Sequence, residues 1–373
     1  MKKQCFFLCY RRWARRLFHS HLRFFHSHLR FFSFYSYTSI SARRYFWQEI
    51  NMKHRENYSL NIKRRELYGL IASIFAFGLA ATLPIFNTGY VLSLGVTIVM
   101  YTVLSTSWAL FSGPTHYISL ATAAFFGIGM YIVGGGLEIY SFPILISIAG
   151  CVGAILAALI GLATLRLSGV YFVIFTLGLS ELIRQVVTWA QTTMGTSSGL
   201  YVLLDVTESQ IYWELLAIAA FIFLFGWCIN RSRIGFALKI IGNDEKVARH
   251  VGINTAAVKI FLFMISGSIA SITGAILAPR WTYIEPTIAF SPMLSFLVVI
   301  MALIGGAHRL WGPILGVIPF ALCWDFITAK FPNQTALMLG LAFLLIVYAI
   351  PHGFAGLGEK YWGKFKHWRD FRV

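Results

Sequence analysis

The chain has 373 residues, of which 58% are hydrophobic, 16% aromatic and only 12% charged. That composition excludes a soluble globular domain of this length and points to an integral membrane protein. The net charge of +17 is not spread as on a nucleic-acid-binding surface: residues 1–65 hold 15 Lys and Arg against Glu49 and Glu56, a net +13, which leaves +4 for the rest.

The first fifty residues carry HSHLRFF twice in tandem, at His19–Phe25 and His26–Phe32. The repeat has the length of a heptad but lacks its apolar seam and flanking charges. An interfacial basic-aromatic helix, a histidine tract for metal and an RNA-binding arm are the functional readings of this segment. Against them stands Met52, which begins MKHRENYSLNIKRRELYGLIASIF, a short basic lead into an apolar helix. The expectation is that Met52 is the effective start, residues 1–51 an untranslated extension, and 52–66 a cytoplasmic lead. No apolar run follows the first arginines as in a signal peptide.

From Leu67 to Leu357 apolar runs follow one another at lengths near the roughly 20 residues that span a bilayer as helix. Ten segments are predicted: 67–86, 90–111, 115–133, 143–165, 168–190, 211–229, 258–278, 291–306, 310–328 and 335–350. The expected fold is all-α and polytopic, with about ten transmembrane or re-entrant helices. Segment 115–133 is the weakest, because Gly127, Gly129 and Gly134–Gly136 allow a broken or re-entrant helix. The cluster Lys63–Arg65, the loop 231–258 and the basic tail 358–373 orient the chain with both termini cytoplasmic. Among the cysteines, Cys5 and Cys9 form a weak CxxxC, while Cys151, Cys228 and Cys323 lie in apolar runs; no metal and no cofactor is expected.

One stretch breaks the apolar pattern: RSRIGFALKIIGNDEKVARHVGIN, 231–254. Ile234, Leu238 and Ile241 fall on one helical face and Gly242 is placed to stop the run. Asn243 or Asp244 can cap a second helix carrying Glu245, Ala248 and Val251, which Gly252 ends. A rod of about 12 Å is too short to cross a membrane and suits a surface that meets a partner. A solvated, positive-inside loop is the competing reading.

Five stretches, SLATAAFFGIGMY (119–131), TLRLSGVYFVIFTLGLSELIRQ (164–185), SRIGFALKIIGNDEKVARHVGIN (232–254), LIGGAHRLWGPILG (303–316) and IPHGFAGL (350–357), resemble, in order, the LivM-type permease subunit of branched-chain amino acid ABC transporters. The resemblance implies a bacterial inner-membrane permease that pairs with a second homologous permease, two cytoplasmic ATP-binding subunits and a periplasmic substrate-binding protein. It also implies an ATPase-coupling loop on Asp244, Glu245, Ala248, Arg249 and Gly252. The chain departs from the family at Ala121–Thr122, where Gly-His is common, at His308 and Arg309, and in the loop Gly195–Gly199.

Ordinary close packing explains most of the recurrent glycines. Gly127, Gly129, Gly305, Gly306 and Pro313 are the candidates for a path or gate where a helix breaks and exposes backbone dipoles to a zwitterionic solute. Glu181 and Arg184 share a helix face at i, i+3 and form a structural ion pair or, alternatively, line the path. Asp325 is interfacial, near Lys330, and His116 with Tyr117 is read either as a solute contact or as a structural pair. No GxxxxGK[ST] or HExxH occurs in the sequence, so the chain is expected to hydrolyse nothing itself. The expected function is passage of amino acids, branched-chain ones first, driven by separate ATPases. The alternative is a stand-alone secondary transporter of a small polar solute, for which Glu181 and Asp325 would be the coupling carboxylates. No nucleic-acid partner is expected.

Overall fold

A computed structural model of the protein describes residues 73–341, apart from 74, 87–88, 165–166, 168, 194–198, 335–336 and 339. The expectations for residues 1–66, for most of segment 335–350, for the motif at 350–357, for most of the loop 195–199 and for the tail 358–373 lie outside the described residues.

The fold is all-α. In chain order it runs through α1 (Phe75–Phe86), α2 (Tyr90–Thr115), α3 (Thr122–Gly136), α4 (Phe142–Thr164) and α5 (Val170–Thr193), then α6 (Glu208–Arg231), α7 (Arg233–Asn243), α8 (Glu245–His250) and α9 (Thr255–Leu277), and ends with α10 (Pro286–Ala289), α11 (Pro292–Gly305) and α12 (Gly312–Lys330). Seven stretches are long and apolar enough to cross a membrane; α1 and α3 are apolar but shorter. Nine of the ten expected segments therefore have a helical counterpart. A two-residue antiparallel pairing, Leu200 with Ile284 and Tyr201 with Tyr283, is the one sheet among the described residues.

The core centres on α2 and α9. α9 packs most extensively against α4 and α3, and small residues let the backbones approach where lipid supplies no hydrophobic drive. A Cβ on Gly129 would collide with the Ser271 carbonyl, and one on Gly274 with that of Phe126. At the α11–α12 turn, Gly305 and Gly312 meet backbone to backbone in the same way.

Two poles can be told apart by their polar contacts. At one, Arg280 donates to Ser93 Oγ at 2.5 Å and lies 3.8 Å from Glu208, while the Tyr90 hydroxyl donates to Asp325. The starts of α2 and α6 are thus tied to the ends of α9 and α12. At the other lie the end of α2, the α7–α8 elbow, the start of α9 and the turn after α11.

Candidate functional site

α2 ends at His116, whose φ of 59° makes it the one positive-φ residue other than glycine among those described. Left-handed backbone is uncommon for a residue with a Cβ. Here it turns the chain back into the protein. Residues 116–121 are not helical, and α3 starts only at Thr122. With 15 residues, α3 is about 22 Å long, short of a bilayer core of roughly 30 Å. The segment expected to be broken is therefore a non-helical stretch followed by a short helix.

Non-helical backbone at membrane depth needs partners for its polar groups. Side chains from distant elements supply them. The Leu120 amide donates to Thr176 Oγ1 at 3.1 Å. The Leu120 carbonyl accepts from Ser295 Oγ at 2.9 Å and Ser180 Oγ at 3.3 Å. The Ala123 amide donates to Ser295 Oγ at 2.9 Å, and the Trp108 indole donates to the Ser119 carbonyl at 2.8 Å. Thr176, Ser180 and Ser295 are fully buried. A break held this way is neutral, preorganised and lined by hydroxyls.

The second part of the site is the α7–α8 elbow. Ser232 caps α7, and Asp244 caps α8 by accepting from the Lys246 and Val247 amides at 2.7 and 3.4 Å. Gly252, with φ 86°, ends the elbow. Ala237, Ile241, Ala248 and Ile253 form a small apolar cluster of their own beneath it. A Cβ on Gly242 would press on the Pro114 carbonyl, so α7 lies hard against the end of α2.

A buried lysine joins the two parts. Lys259, the fifth residue of α9, is 1% exposed, and its Nζ donates to Glu245 Oε2 at 2.6 Å. Arg249 donates to Glu245 Oε1 at 2.6 Å, and Thr255 Oγ1 lies 3.3 Å from the same oxygen. The other side of Lys259 Nζ stands 4.1 Å from the centre of the Tyr117 ring, a cation–π contact that strengthens when desolvated. Tyr117 belongs to the helix break. Burial alone would raise the Glu245 carboxyl, but the hydrogen bonds from Lys259 and Arg249 outweigh it and hold Glu245 below the usual range. The same carboxylate raises Arg249.

The other expected positions are distributed differently. A Cβ on Gly127 would strike the Phe290 ring. With Gly129 and Gly305, this glycine sits at a helix crossing rather than in the break. Gly306 has φ 103° and caps α11; Pro313 is buried in the first turn of α12. Arg184 Nε donates to Glu181 Oε2 at 2.9 Å and Nη2 to Oε1, with Gln185 as a third partner, on a half-exposed face of α5. Asp325 is engaged by Tyr90. Sequence reasoning missed Lys259 as an individual residue, absorbing it into the positive-inside surplus. It also missed Glu214 on α6, whose Oε2 is buried without a hydrogen-bond partner among the described residues. A carboxylate within an apolar run was signal enough.

The family described as "Branched-chain amino acid transport system / permease component" matches residues 90–350, a span holding both the break and the elbow. The chain belongs to this family. Among curated proteins, the high-affinity branched-chain amino acid transport system permease protein LivM of Salmonella typhimurium is 24% identical over 68% of this chain and 67% of its own length. LivM of Escherichia coli is 23% identical over 74% and 72%. The L-arabinose transport system permease protein AraH of E. coli is 31% identical over 32% of this chain and 35% of its own length. No solved structure matches. With seven long apolar helices and this membership, the chain is a multi-pass membrane permease.

Proposed function

We propose that the chain is the membrane subunit of an ABC importer that passes amino acids, branched-chain ones first, across a bacterial inner membrane, with both termini cytoplasmic. It works beside a second homologous permease, two ATP-binding subunits and a periplasmic substrate-binding protein. The observation that carries this reading is the bond from Glu245 in the elbow through Lys259 to Tyr117 in the break. Asp244, Glu245, Ala248, Arg249 and Gly252 make the ATPase-docking helix, with Glu245 turned inward as its brace. Docking shifts α8, and Lys259 passes the shift to residues 117–120, which are outside the helices on either side. The start of α3 then turns its positive dipole end toward the carboxylate of a zwitterionic solute. Amino acids are preferred to sugars because the LivM proteins align over 68% and 74% of the chain and the arabinose permease over 32%. Glu181 and Arg184 serve as a structural pair.

The test is uptake into vesicles. The purified chain alone should accumulate no leucine under a proton or sodium gradient, and the five-component assembly should accumulate it when ATP is supplied. Ion-driven uptake by the chain alone would instead favour a secondary transporter, with Glu214 as its coupling carboxylate.

A further inference from the structure

A cavity of about 440 Å³ opens beside the elbow, between the end of α2, the α6–α7 junction and the turn that follows α11. Four basic or imidazole side chains line it, His116, Lys239, His308 and Arg309, and none of the described residues around it is acidic. They come from three separate elements. The two imidazoles meet edge to face with ring centres 5.3 Å apart. His308 Nδ1 lies 3.1 Å from the Gly113 carbonyl; a carbonyl only accepts, so that nitrogen carries the proton and fixes the ring at the rim.

A second observation points to a ligand. Thr106 also lines the cavity, is 1% exposed, and its Oγ1 has no hydrogen-bond partner among the described residues. A buried hydroxyl left unsatisfied costs free energy. An acceptor entering the cavity would satisfy it.

We propose that this cavity binds a phosphate group. Lys, Arg and imidazole donors from three elements converge on one concavity and together match the several acceptor oxygens of a phosphate. The group can arrive on an anionic phospholipid of the adjoining leaflet or as free phosphate. Leu110, Ile229 and Leu310 supply an apolar wall beside the cationic rim, which favours the lipid, as basic pockets between helices at the cytoplasmic face do. The site shares only His116 with the helix break and does not require the ATPases.

The full-length chain, purified in a neutral detergent, is titrated with dioctanoyl phosphatidylglycerol and dioctanoyl phosphatidylcholine and read by native mass spectrometry, and with inorganic phosphate read by calorimetry. Phosphatidylglycerol should be retained well above phosphatidylcholine. Lys239→Gln should weaken retention about tenfold, and Lys239→Arg should restore it. Lys239 is exposed, and Lys246→Gln on the neighbouring helix serves as the unchanged control. Phosphatidylglycerol bound and not displaced by inorganic phosphate identifies the lipid as source; binding of inorganic phosphate alone identifies the free ion. Failure of both probes, equal retention of the two lipids, or a Lys239→Gln protein that binds like the wild type overturns the proposal.

Discussion

The helix break and the elbow both interrupt regular helix, and they are held by opposite means. Residues 116–121 are fixed by neutral hydroxyls from α5 and α11 and by the Trp108 indole. The elbow is fixed by a carboxylate cap, a positive-φ glycine and the Glu245, Arg249 and Lys259 cluster. The difference follows from where water reaches. A charge at membrane depth costs several kcal/mol unless paired, whereas hydroxyls satisfy backbone groups without bringing charge with them. At the edge of the bilayer the same backbone needs can be met by ions. Lys259 stands where the two regimes meet, with its ammonium between a carboxylate and an aromatic face.

The comparison breaks most sharply at that lysine. Glu245→Ala leaves a buried ammonium with only the Tyr117 ring, and should lower stability by about 3 kcal/mol, read as an earlier thermal unfolding of the purified chain. Adding Lys259→Met to a Glu245→Leu change should recover most of the loss, because no unpaired charge remains. If the single change is silent, the elbow is not braced as described. Next in size is the break: Ser295→Ala strips one acceptor and one donor from buried backbone, and should cost about 2 kcal/mol and speed exchange of the Ala123 amide. Thr176→Val, which removes the acceptor of the Leu120 amide and a donor to the Val173 carbonyl of its own helix, should cost about half as much.

Gly252→Val sharpens the other half. A β-branched residue at φ 86° is strained by about 1–2 kcal/mol. That strain is local to the elbow, so global unfolding should move little while co-purification with the ATP-binding subunits falls. The smallest effect is on pH. Glu245 is held below its ordinary value of 4.5, so its contribution is full above that value and disappears as pH falls through the lower, folded-state value. Acid unfolding should therefore be steeper in the wild type than in the Glu245→Leu, Lys259→Met protein, by less than about 1 kcal/mol.

The two regions also differ in how much of them could be read from the sequence. The elbow is written locally. Asp244 and Gly252 lie within nine residues of each other, and caps and stop signals act over that range, so both short helices and their order are as expected; Gly242, expected to stop α7, lies inside it, where its missing side chain lets α7 close on Pro114. The helix order of the bundle is equally legible, because each apolar run declares itself. The break is not local. Its glycines hinted that segment 115–133 would be irregular, but the break falls before them, at 116–121, and the glycines themselves pack against Phe290 and Ser271. The residues that stabilise it, Thr176, Ser180 and Ser295, stand 56 to 175 positions away from the backbone groups they satisfy, and only the fold brings them in. Lys259 was hidden for a different reason: a lysine at the start of a span is what the charge rule expects, and nothing in that rule marks the one that is buried.

The central claim is that the elbow and the break respond as one through Lys259. It is tested most directly by hydrogen exchange at the amides of residues 117–123 in the assembled transporter, with and without ATP. The account predicts that nucleotide changes protection there in the wild type and leaves it unchanged in the Glu245→Leu, Lys259→Met protein, although the ATP-binding subunits still co-purify. An equal change in both proteins would contradict it.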